Sequence, residues 1–290
     1  MAIERNSRTF LLFIVSVALP QIVGASVWYT VTDITPGGFR DINNNGQVCG
    51  AYPGDLGANV WQDGVVTDLG FLPGCSYTNA EGISPSGRYL AGYAYNVYLT
   101  DSRAVLWYDG VMVDGGTLAG HVYSGALDVN DSGIAVGNSS PTPYGESESL
   151  PIYWDQGSIY QLQLPDWATN GEALDINNAG QIVGAVWMPY FSVACIWNNG
   201  VPSTMGVLPG AGASWSRAIN EAGQAGVNSG NRAALWEDGI LTPLGQLPGR
   251  PYSCAYGINE SKQIVGASFI ERVGNESVGQ HAFVWTNGVF

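Results

Sequence analysis

The stretch EALDINNAGQIVGAVWMPYFSVACIWNNGVPSTMGVLPG, residues 172–210, decides the fold. It contains four short runs, several of them rich in the β-branched side chains that favour extended chain: 172–176, 181–186, 193–197 and 201–205. Polar and glycine-containing segments separate the runs, and the Asn-Gly pair at 199–200 is typical of a two-residue hairpin turn. The stretch therefore predicts four consecutive antiparallel strands.

The same pattern recurs along the chain. Six tryptophans are each followed three residues later by glycine, at spacings of 46, 47, 43, 39 and 49: Trp61, Trp107, Trp154, Trp197, Trp236 and Trp285. A phrase of the form Ile-Asn-x-x-Gly-Gln returns between them, and Leu-Pro-Gly closes several units. Four short strands in each repeat of about 40–50 residues match a propeller blade. The sequence thus predicts an all-β fold, a six-bladed β-propeller of four-stranded blades.

The two ends of the chain predict how such a ring closes. The last unit stops at residues 285–290 without a fourth strand, whereas residues 29–37 match the fourth strand of the first full unit at 65–69 and the Pro-Gly beyond it. Pairing the two ends in one blade protects both sheet edges. We therefore expect the N-terminal strand to complete the last blade.

The repeated phrases resemble the HAF family of bacterial extracellular repeat proteins over residues 27–290. The tripeptide that gives the family its name stands at 281–283, followed by Val-Trp, and the Asp-Leu-Gly at 68–70 matches a further phrase. The resemblance implies an exported bacterial protein, and it transfers no functional residues because no defined activity belongs to the repeat. Three positions depart from the pattern by replacing a glycine: Lys262, Val227 and Asp166.

Residues 1–25 have the pattern of an export signal. Arg5 and Arg8 precede an apolar stretch at 10–19, and small residues at 23–25 occupy the positions that signal peptidase recognises. The apolar stretch is too short to span a bilayer, and no later segment is apolar enough to do so. We predict a signal peptide at 1–25, a single β-propeller domain at 26–290 and a secreted or extracellular protein, with the periplasm and cell surface as alternatives.

The chain is acidic, with 10 basic residues, 24 acidic residues and a formal net charge of −14. Such a chain repels nucleic acid and anionic lipid, so we expect neither as a partner. Four cysteines lie in different repeats without any Cys-x-x-Cys pair: Cys49, Cys75, Cys195 and Cys254. Disulfide pairing and burial as small apolar side chains both stay open for them.

Residues with catalytic or metal-binding chemistry are few. The two histidines, His121 and His281, belong to no motif that supplies a nucleophile or a second metal ligand. Phrases beginning at Asp41 and Asp128 resemble the opening of a calcium loop, but they lack its closing carboxylate and are also good turn formers. We expect no cofactor, with calcium as the weaker alternative. A carboxylate pair for glycoside cleavage stays open among four loop residues: Glu146, Glu148, Glu271 and Glu276.

One face of the predicted ring is rich in aromatic residues. It carries the loops between second and third strands and the connections between units. Flat rings among polar side chains suit the apolar faces of sugars and also peptide contacts. The predicted ligand-binding residues are Tyr95, Tyr98, Tyr144, Trp187, Tyr190, Phe191, Trp167 and Trp215. Three tyrosines that share one repeat position are expected to pack between blades: Tyr77, Tyr123 and Tyr252.

The function predicted from these features is a non-enzymatic binding scaffold for a polysaccharide or another extracellular protein. One alternative is a carbohydrate-active hydrolase or lyase that uses loop carboxylates, and another is a structural component of the cell surface or matrix. An enzyme requires two carboxylates that converge at the pore mouth. A glycan binder requires exposed rings without such a pair, and a matrix protein requires large apolar patches on the outer strands.

Overall fold

The computed structural model describes residues 34, 38–51, 57–96, 101–142, 148–273 and 276–290. Every regular element within these ranges is a β-strand, which confirms the all-β prediction. The predicted signal peptide and, apart from residue 34, the predicted closing segment at 29–37 lie outside the described residues. Within the described ranges, no helix has the length and apolar character needed to cross a membrane.

The strands group into repeat units that we number 1 to 6 in chain order. Unit 1 contains β1 (Gly38–Ile42), β2 (Val48–Ala51), β3 (Ala58–Gln62) and β4 (Val65–Asp68). Unit 2 contains β5 (Tyr77–Ile83), β6 (Tyr89–Tyr95), β7 (Ser102–Tyr108) and β8 (Val111–Gly116). Unit 3 contains β9 (Tyr123–Val129), β10 (Ala135–Ser140), β11 (Leu150–Asp155) and β12 (Ser158–Gln161).

The remaining units follow the same order. Unit 4 contains β13 (Asn170–Ile176), β14 (Ile182–Met188), β15 (Phe191–Asn198) and β16 (Val201–Gly206). Unit 5 contains β17 (Ser214–Ile219), β18 (Ala225–Ser229), β19 (Arg232–Glu237) and β20 (Ile240–Pro243). Unit 6 contains β21 (Tyr252–Ile258), β22 (Gln263–Phe269) and β25 (His281–Thr286), with a small hairpin of β23 (Glu271–Val273) and β24 (Glu276–Val278) between the last two.

Within each unit, neighbouring strands pair antiparallel in chain order. The first strands of successive units contact one another and line a central channel, whereas a fourth strand such as β4 is exposed along its whole length. Each first strand carries a β-bulge at an equivalent position, and a bulge redirects the side chain that it contains. The bulged residues are Arg40, Glu81, Leu127, Leu174, Arg217 and Tyr256.

The predicted hairpin turn is confirmed at residues 199–200. Asn199 has a φ of 50° and Gly200 a φ of 76°, and two successive positive φ values define the tight turn that matches strand twist. The same conformation follows the third strand of the other units, at 63–64, 109–110, 156–157, 238–239 and 287–288. The repeated Trp-x-x-Gly spacing therefore marks one hairpin in each unit.

The repeated tryptophans join neighbouring units. Trp197 is fully buried, and its indole N–H donates to the backbone carbonyl of Gln163 in the preceding unit at 2.7 Å. Trp154 makes the equivalent bond to Gly115 at 2.8 Å, and Trp107 and Trp285 bond to their preceding units in the same way. Each of these residues combines a large buried apolar surface with a satisfied polar group, which is the usual state of a core tryptophan.

The repeated asparagine forms a second link between units. The side-chain amide of Asn130 donates to the carbonyl of Asn177 at 3.1 Å, Asn177 donates to Asn220 at 3.0 Å, and Asn220 donates to Asn259 at 3.1 Å. The side-chain oxygen of Asn177 also accepts from the backbone N–H of Gln181 within its own turn, at 2.9 Å. The predicted turn-forming role of these residues is therefore confirmed, and the same side chains hold one unit to the next.

All four cysteines are free thiols. Cys49, Cys195 and Cys254 are buried and Cys75 is half-buried, and desolvation raises the pKa of the Cys195 thiol to about 12. A buried thiol with such a pKa stays protonated, so it packs as a small apolar side chain. Of the two alternatives left open by the sequence, the structure shows apolar burial.

Candidate functional site

A cavity of about 850 Å³ opens at the end of the channel where the first strands begin. The antiparallel order of each unit places the end of the second strand beside the start of the first, as in the pairs Tyr95–Tyr77 and Trp187–Asn170. Loops between second and third strands therefore meet the connections between units at this end. Units 2 to 5 all contribute side chains to the cavity wall.

Three of the predicted ligand-binding residues line this cavity together: Tyr95, Trp187 and Trp215. Tyr123, which we expected to pack between blades, also lines it. Its two counterparts form ring stacks, since Tyr77 lies against Tyr95 at 4.5 Å between centroids and Tyr252 lies against Phe269 at 5.5 Å. The cavity wall thus offers aromatic rings from four different units.

The other predicted residues lie elsewhere. The rings of Trp167 and Phe191 contact each other at 5.6 Å outside the cavity lining. Tyr190 is fully exposed at the tip of its turn, where its φ is 70°. Tyr98 and Tyr144 lie outside the described residues.

Three charged side chains that were not among the predicted ligand-binding residues also line the cavity: Asp101, Glu172 and Arg217. In the sequence, Glu172 and Arg217 look like ordinary polar residues of short strands. Arg217 enters the wall because it occupies the bulge of β17. Arg217 could have been found by aligning the repeats and comparing the residues at the bulge position, because most other units have a different residue type there.

A polar cluster lies beside the cavity in units 1 and 2. The side-chain amide of Asn79 donates to Glu81, and Arg40 forms an ion pair with the same carboxylate at 3.5 Å. Burial raises the pKa of Glu81, with Arg40 opposing the rise. Burial and the nearby charge of Glu81 raise the pKa of the cavity residue Tyr93 to about 12, so its hydroxyl stays protonated and can donate a hydrogen bond.

Deeper in the channel, three half-buried aspartates connect adjacent units: Asp41, Asp128 and Asp175. Asp41 accepts a hydrogen bond from the backbone N–H of Ile83 at 3.0 Å, and Asp175 accepts one from Ile219 at 2.7 Å. Desolvation raises the pKa of Asp41 to about 7. Desolvation, followed by the charge of Asp175, raises the pKa of Asp128.

Unit 2 has no room for a fourth aspartate at the equivalent position. Gly82 occupies the equivalent position in unit 2, where an added Cβ meets the Cα of Asp128 at 2.6 Å and the carbonyl of Leu127 at 2.8 Å. Glycine therefore permits the close approach of β5 and β9. Among the described residues, no group of three or more His, Cys, Asp or Glu side chains is arranged to hold a metal ion.

Neither histidine contributes to the cavity. His121 Nδ1 lies 3.0 Å from the hydroxyl of Ser139, and His281 Nε2 lies 2.8 Å from Arg250. The loop carboxylates Glu148 and Glu271 do not line it either. Within the described wall, the carboxylates are those of Asp101 and Glu172.

No protein-family model matches the sequence, and no curated protein matches it. Solved structures do. The β-propeller domain of the Trilobed protease from Pyrococcus furiosus is similar over 88% of this chain and 83% of that domain, with 10% identity and a TM-score of 0.54. The fold is a β-propeller.

Two further propellers show the same similarity. Virginiamycin B lyase from Staphylococcus aureus matches over 87% of this chain and 84% of its own, with 11% identity and a TM-score of 0.52. A puromycin-hydrolysing peptidase from Mycobacterium tuberculosis matches over 86% of this chain, with 11% identity and a TM-score of 0.56. This chain spans 43% of the peptidase's length. At such identities the similarity shows the propeller fold alone.

Proposed function

We propose that this protein is a secreted, non-enzymatic binding scaffold whose ligand is a glycan held in the aromatic cavity. The observation that carries the proposal is the shared wall of Tyr95, Trp187 and Trp215, which come from three different units and surround one 850 Å³ space. This volume falls within the roughly 300–1,000 Å³ typical of small-molecule pockets. It therefore suits a ligand of a few sugar rings.

The character of the wall supports a sugar over a purely apolar ligand. Aromatic rings cover the apolar faces of a sugar, while its hydroxyl groups need donors and acceptors around the edge. Ser102, Ser124, Ser192 and Asn138 supply such groups in the same wall. Propellers with such openings also bind proteins, so an extracellular protein is the alternative partner.

The test is a glycan array followed by calorimetry on the best ligand. Trp187→Ala and Trp215→Ala should each weaken binding about tenfold or more, because each removes a ring from the centre of the site. Trp167→Ala is the matched control, since Trp167 lies at the same end of the ring but outside the cavity. Equal affinity losses in all three variants, or no glycan bound at all, contradict the proposed site.

One observation favours a second candidate function. Asp101 and Glu172 line the same cavity, and two carboxylates in one site are what a glycoside hydrolase or lyase needs. The array is therefore run with an assay for released reducing ends. Product release that is lost in Glu172→Gln, with ligand binding retained, establishes the enzyme and overturns the scaffold.

The matrix alternative has less support. A matrix protein was expected to have large apolar patches on its outer strands. The most exposed apolar side chains instead stand one to a unit, directly after the hairpin glycine: Val65, Val111, Val201, Ile240 and Val289. Single exposed apolar residues are common on soluble proteins. They do not form the continuous surface that lateral packing requires.

We also propose the HAF-like origin, the signal peptide at 1–25 and a six-bladed ring closed by residues 29–37. The three-stranded sheet of unit 6, β21-β22-β25, supports the closure because β25 has a free edge among the described strands. Hydrogen exchange tests it. Slow exchange of amides 29–34, comparable to that of the paired strand β16, supports closure, and exchange at the rate of free chain overturns it.

A further inference from the structure

Arg217 is a cationic residue at the wall of the aromatic cavity. It occupies the β-bulge of β17, between Ser216 and Ala218, and its side chain is exposed to the solvent of the cavity. Trp215, two residues earlier on the same strand, lines the same space. The strand therefore presents a guanidinium and an indole ring to one ligand.

Arg217 differs from the other arginines of the described ranges in having no hydrogen-bond, ion-pair or ring partner, although its charge acts on the nearby Cys254 and Tyr256. The others are held by protein groups: Arg40 by Glu81, Arg88 by Asp109, Arg103 by Asp114, Arg232 by the carbonyl of Pro209, Arg250 by the carbonyl of Gly279, and Arg272 by the ring of Phe269. Within this part of the chain, Arg217 alone has no hydrogen bond, ion pair or ring contact. Its planar donor fork is therefore available to a ligand.

The absence of a partner is notable in so acidic a protein. With 24 acidic residues against 10 basic ones, an arginine on the surface has many chances to meet a carboxylate. A guanidinium presents parallel N–H donors that match a carboxylate bidentately, and such charge-assisted pairs are among the stronger hydrogen bonds. A ligand carboxylate is the group that completes this geometry.

The rest of the wall limits the charge of that ligand. Asp101 and Glu172 line the same cavity, and the whole protein has a net charge of −14. The two cavity carboxylates and the net negative charge repel a dianionic phosphate or a long polyanion more strongly than a single carboxylate. The cavity volume of about 850 Å³ also favours a short ligand.

We propose that the cavity binds a short saccharide with one carboxylate, which Arg217 holds while Trp187 and Trp215 contact the sugar rings. The inference rests on the proposed glycan-binding function and names its ligand class. Arg217 is thereby a specificity-determining residue, because it distinguishes an acidic sugar from its neutral counterpart.

The experiment compares two xylo-oligosaccharides of equal length, one with a terminal glucuronic acid and one neutral, by calorimetry at low ionic strength. The acidic ligand should bind the full chain at least tenfold more tightly, since a bidentate charged pair contributes about this much or more. Arg217→Gln should lower the affinity for the acidic ligand to that for the neutral one, so that the ratio of the two affinities falls to about one.

Two further variants separate geometry from charge. Arg217→Lys retains the charge without the fork and should give an intermediate affinity for the acidic ligand. Arg232→Gln removes the same charge from the same unit outside the cavity, and should change neither affinity.

The outcomes distinguish the two proposals. Equal binding of both oligosaccharides overturns the role of Arg217 and leaves the glycan-binding scaffold intact. Binding of polygalacturonate more tightly than the monocarboxylate overturns the preference for a single charge. No binding of any sugar overturns the proposed function itself.

Discussion

The two ends of the channel are built on different principles. At the end where the first strands finish, side chains that recur in most units bond one unit to the next, as Asn130, Asn177 and Asn220 do. At the end where the first strands begin, the cavity wall contains residues that do not recur, such as Glu172 and Trp215. Repeated residues thus maintain the fold, and unrepeated residues distinguish this protein from others with the same fold.

This division resembles the general arrangement in which a rigid scaffold positions variable loops for function. Here the scaffold is held by hydrogen bonds between units as well as by the buried tryptophans. Substitutions at the turn end should therefore change stability without changing ligand affinity, and substitutions at the cavity end should do the reverse. The predictions below test this separation.

The largest effect is expected for Asn177→Ala. The substitution removes the bond to the Asn220 carbonyl and two bonds within the turn of a residue that is only 3% exposed. We expect the free energy of unfolding to fall by about 2–4 kcal/mol, measured by chemical denaturation. Asn178→Ala is the comparison: its side chain also bonds to the preceding unit, accepting from the Asp131 N–H at 2.8 Å and donating to the Asp131 carboxylate at 3.2 Å. Because these bonds are exposed to solvent, a loss below about 1 kcal/mol is expected. Equal losses contradict the role of the repeated asparagine.

A second effect concerns the channel between the two ends. The pKa of Asp41 is raised to about 7 by burial, so the folded protein binds a proton that the unfolded chain releases near pH 4. The stabilisation that protonated Asp41 contributes is therefore present below pH 4 and is lost as the pH rises through about 7. Between these values the free energy of unfolding should decrease with pH, by up to about 1.4 kcal/mol per pH unit for one proton.

Asp41→Asn tests this because it removes the titrating group and retains the shape. The variant should show a smaller dependence of unfolding free energy on pH between 5 and 7 than the unsubstituted protein. Identical slopes in the two proteins assign the pH dependence to the overall negative charge instead.

A smaller effect is expected for Gly200→Ala in the hairpin of unit 4. A φ of 76° disfavours any residue with a Cβ, so a loss of about 1–2 kcal/mol in unfolding free energy follows. Gly212→Ala is the matched control, since an added Cβ there meets no atom within 4 Å and the residue has no positive φ. The control should unfold at the same or slightly higher denaturant concentration.

The smallest effect is expected for Tyr190→Ser. The side chain is fully exposed at the cavity end, so the free energy of unfolding should change by less than about 0.5 kcal/mol. Thermal unfolding checks this directly. A loss above 1 kcal/mol shows that the aromatic residues of this end also maintain the fold, and that the two ends are not separate in function.

The sequence predicted the order of the strands and the position of the hairpins because these depend on local chemistry. Asn199 and Gly200 determine a turn between residues that are neighbours in the chain. It also placed Tyr95, Trp187 and Trp215 at one end, because the antiparallel order of the strands fixes which loops share a face.

The sequence could not show contacts that depend on how units pack. Arg217 reaches the cavity through a bulge, and Asp175 bonds to a backbone group in the next unit, 44 residues away. Tyr123 shares a repeat position with Tyr77 and Tyr252, yet it faces the cavity because its neighbours differ from theirs. Such differences between equivalent positions arise from the adjacent unit and become visible only in three dimensions.

The chain of asparagine bonds also bears on how a protein of this kind changes in size. Units 4 and 5 each carry both halves of the contact, a side-chain amide that donates forward and a backbone carbonyl that accepts from behind. A duplicated gene segment of one repeat therefore encodes a piece that joins its neighbours on both sides without further mutation. Gain or loss of whole repeats is the evolutionary step that this architecture tolerates best.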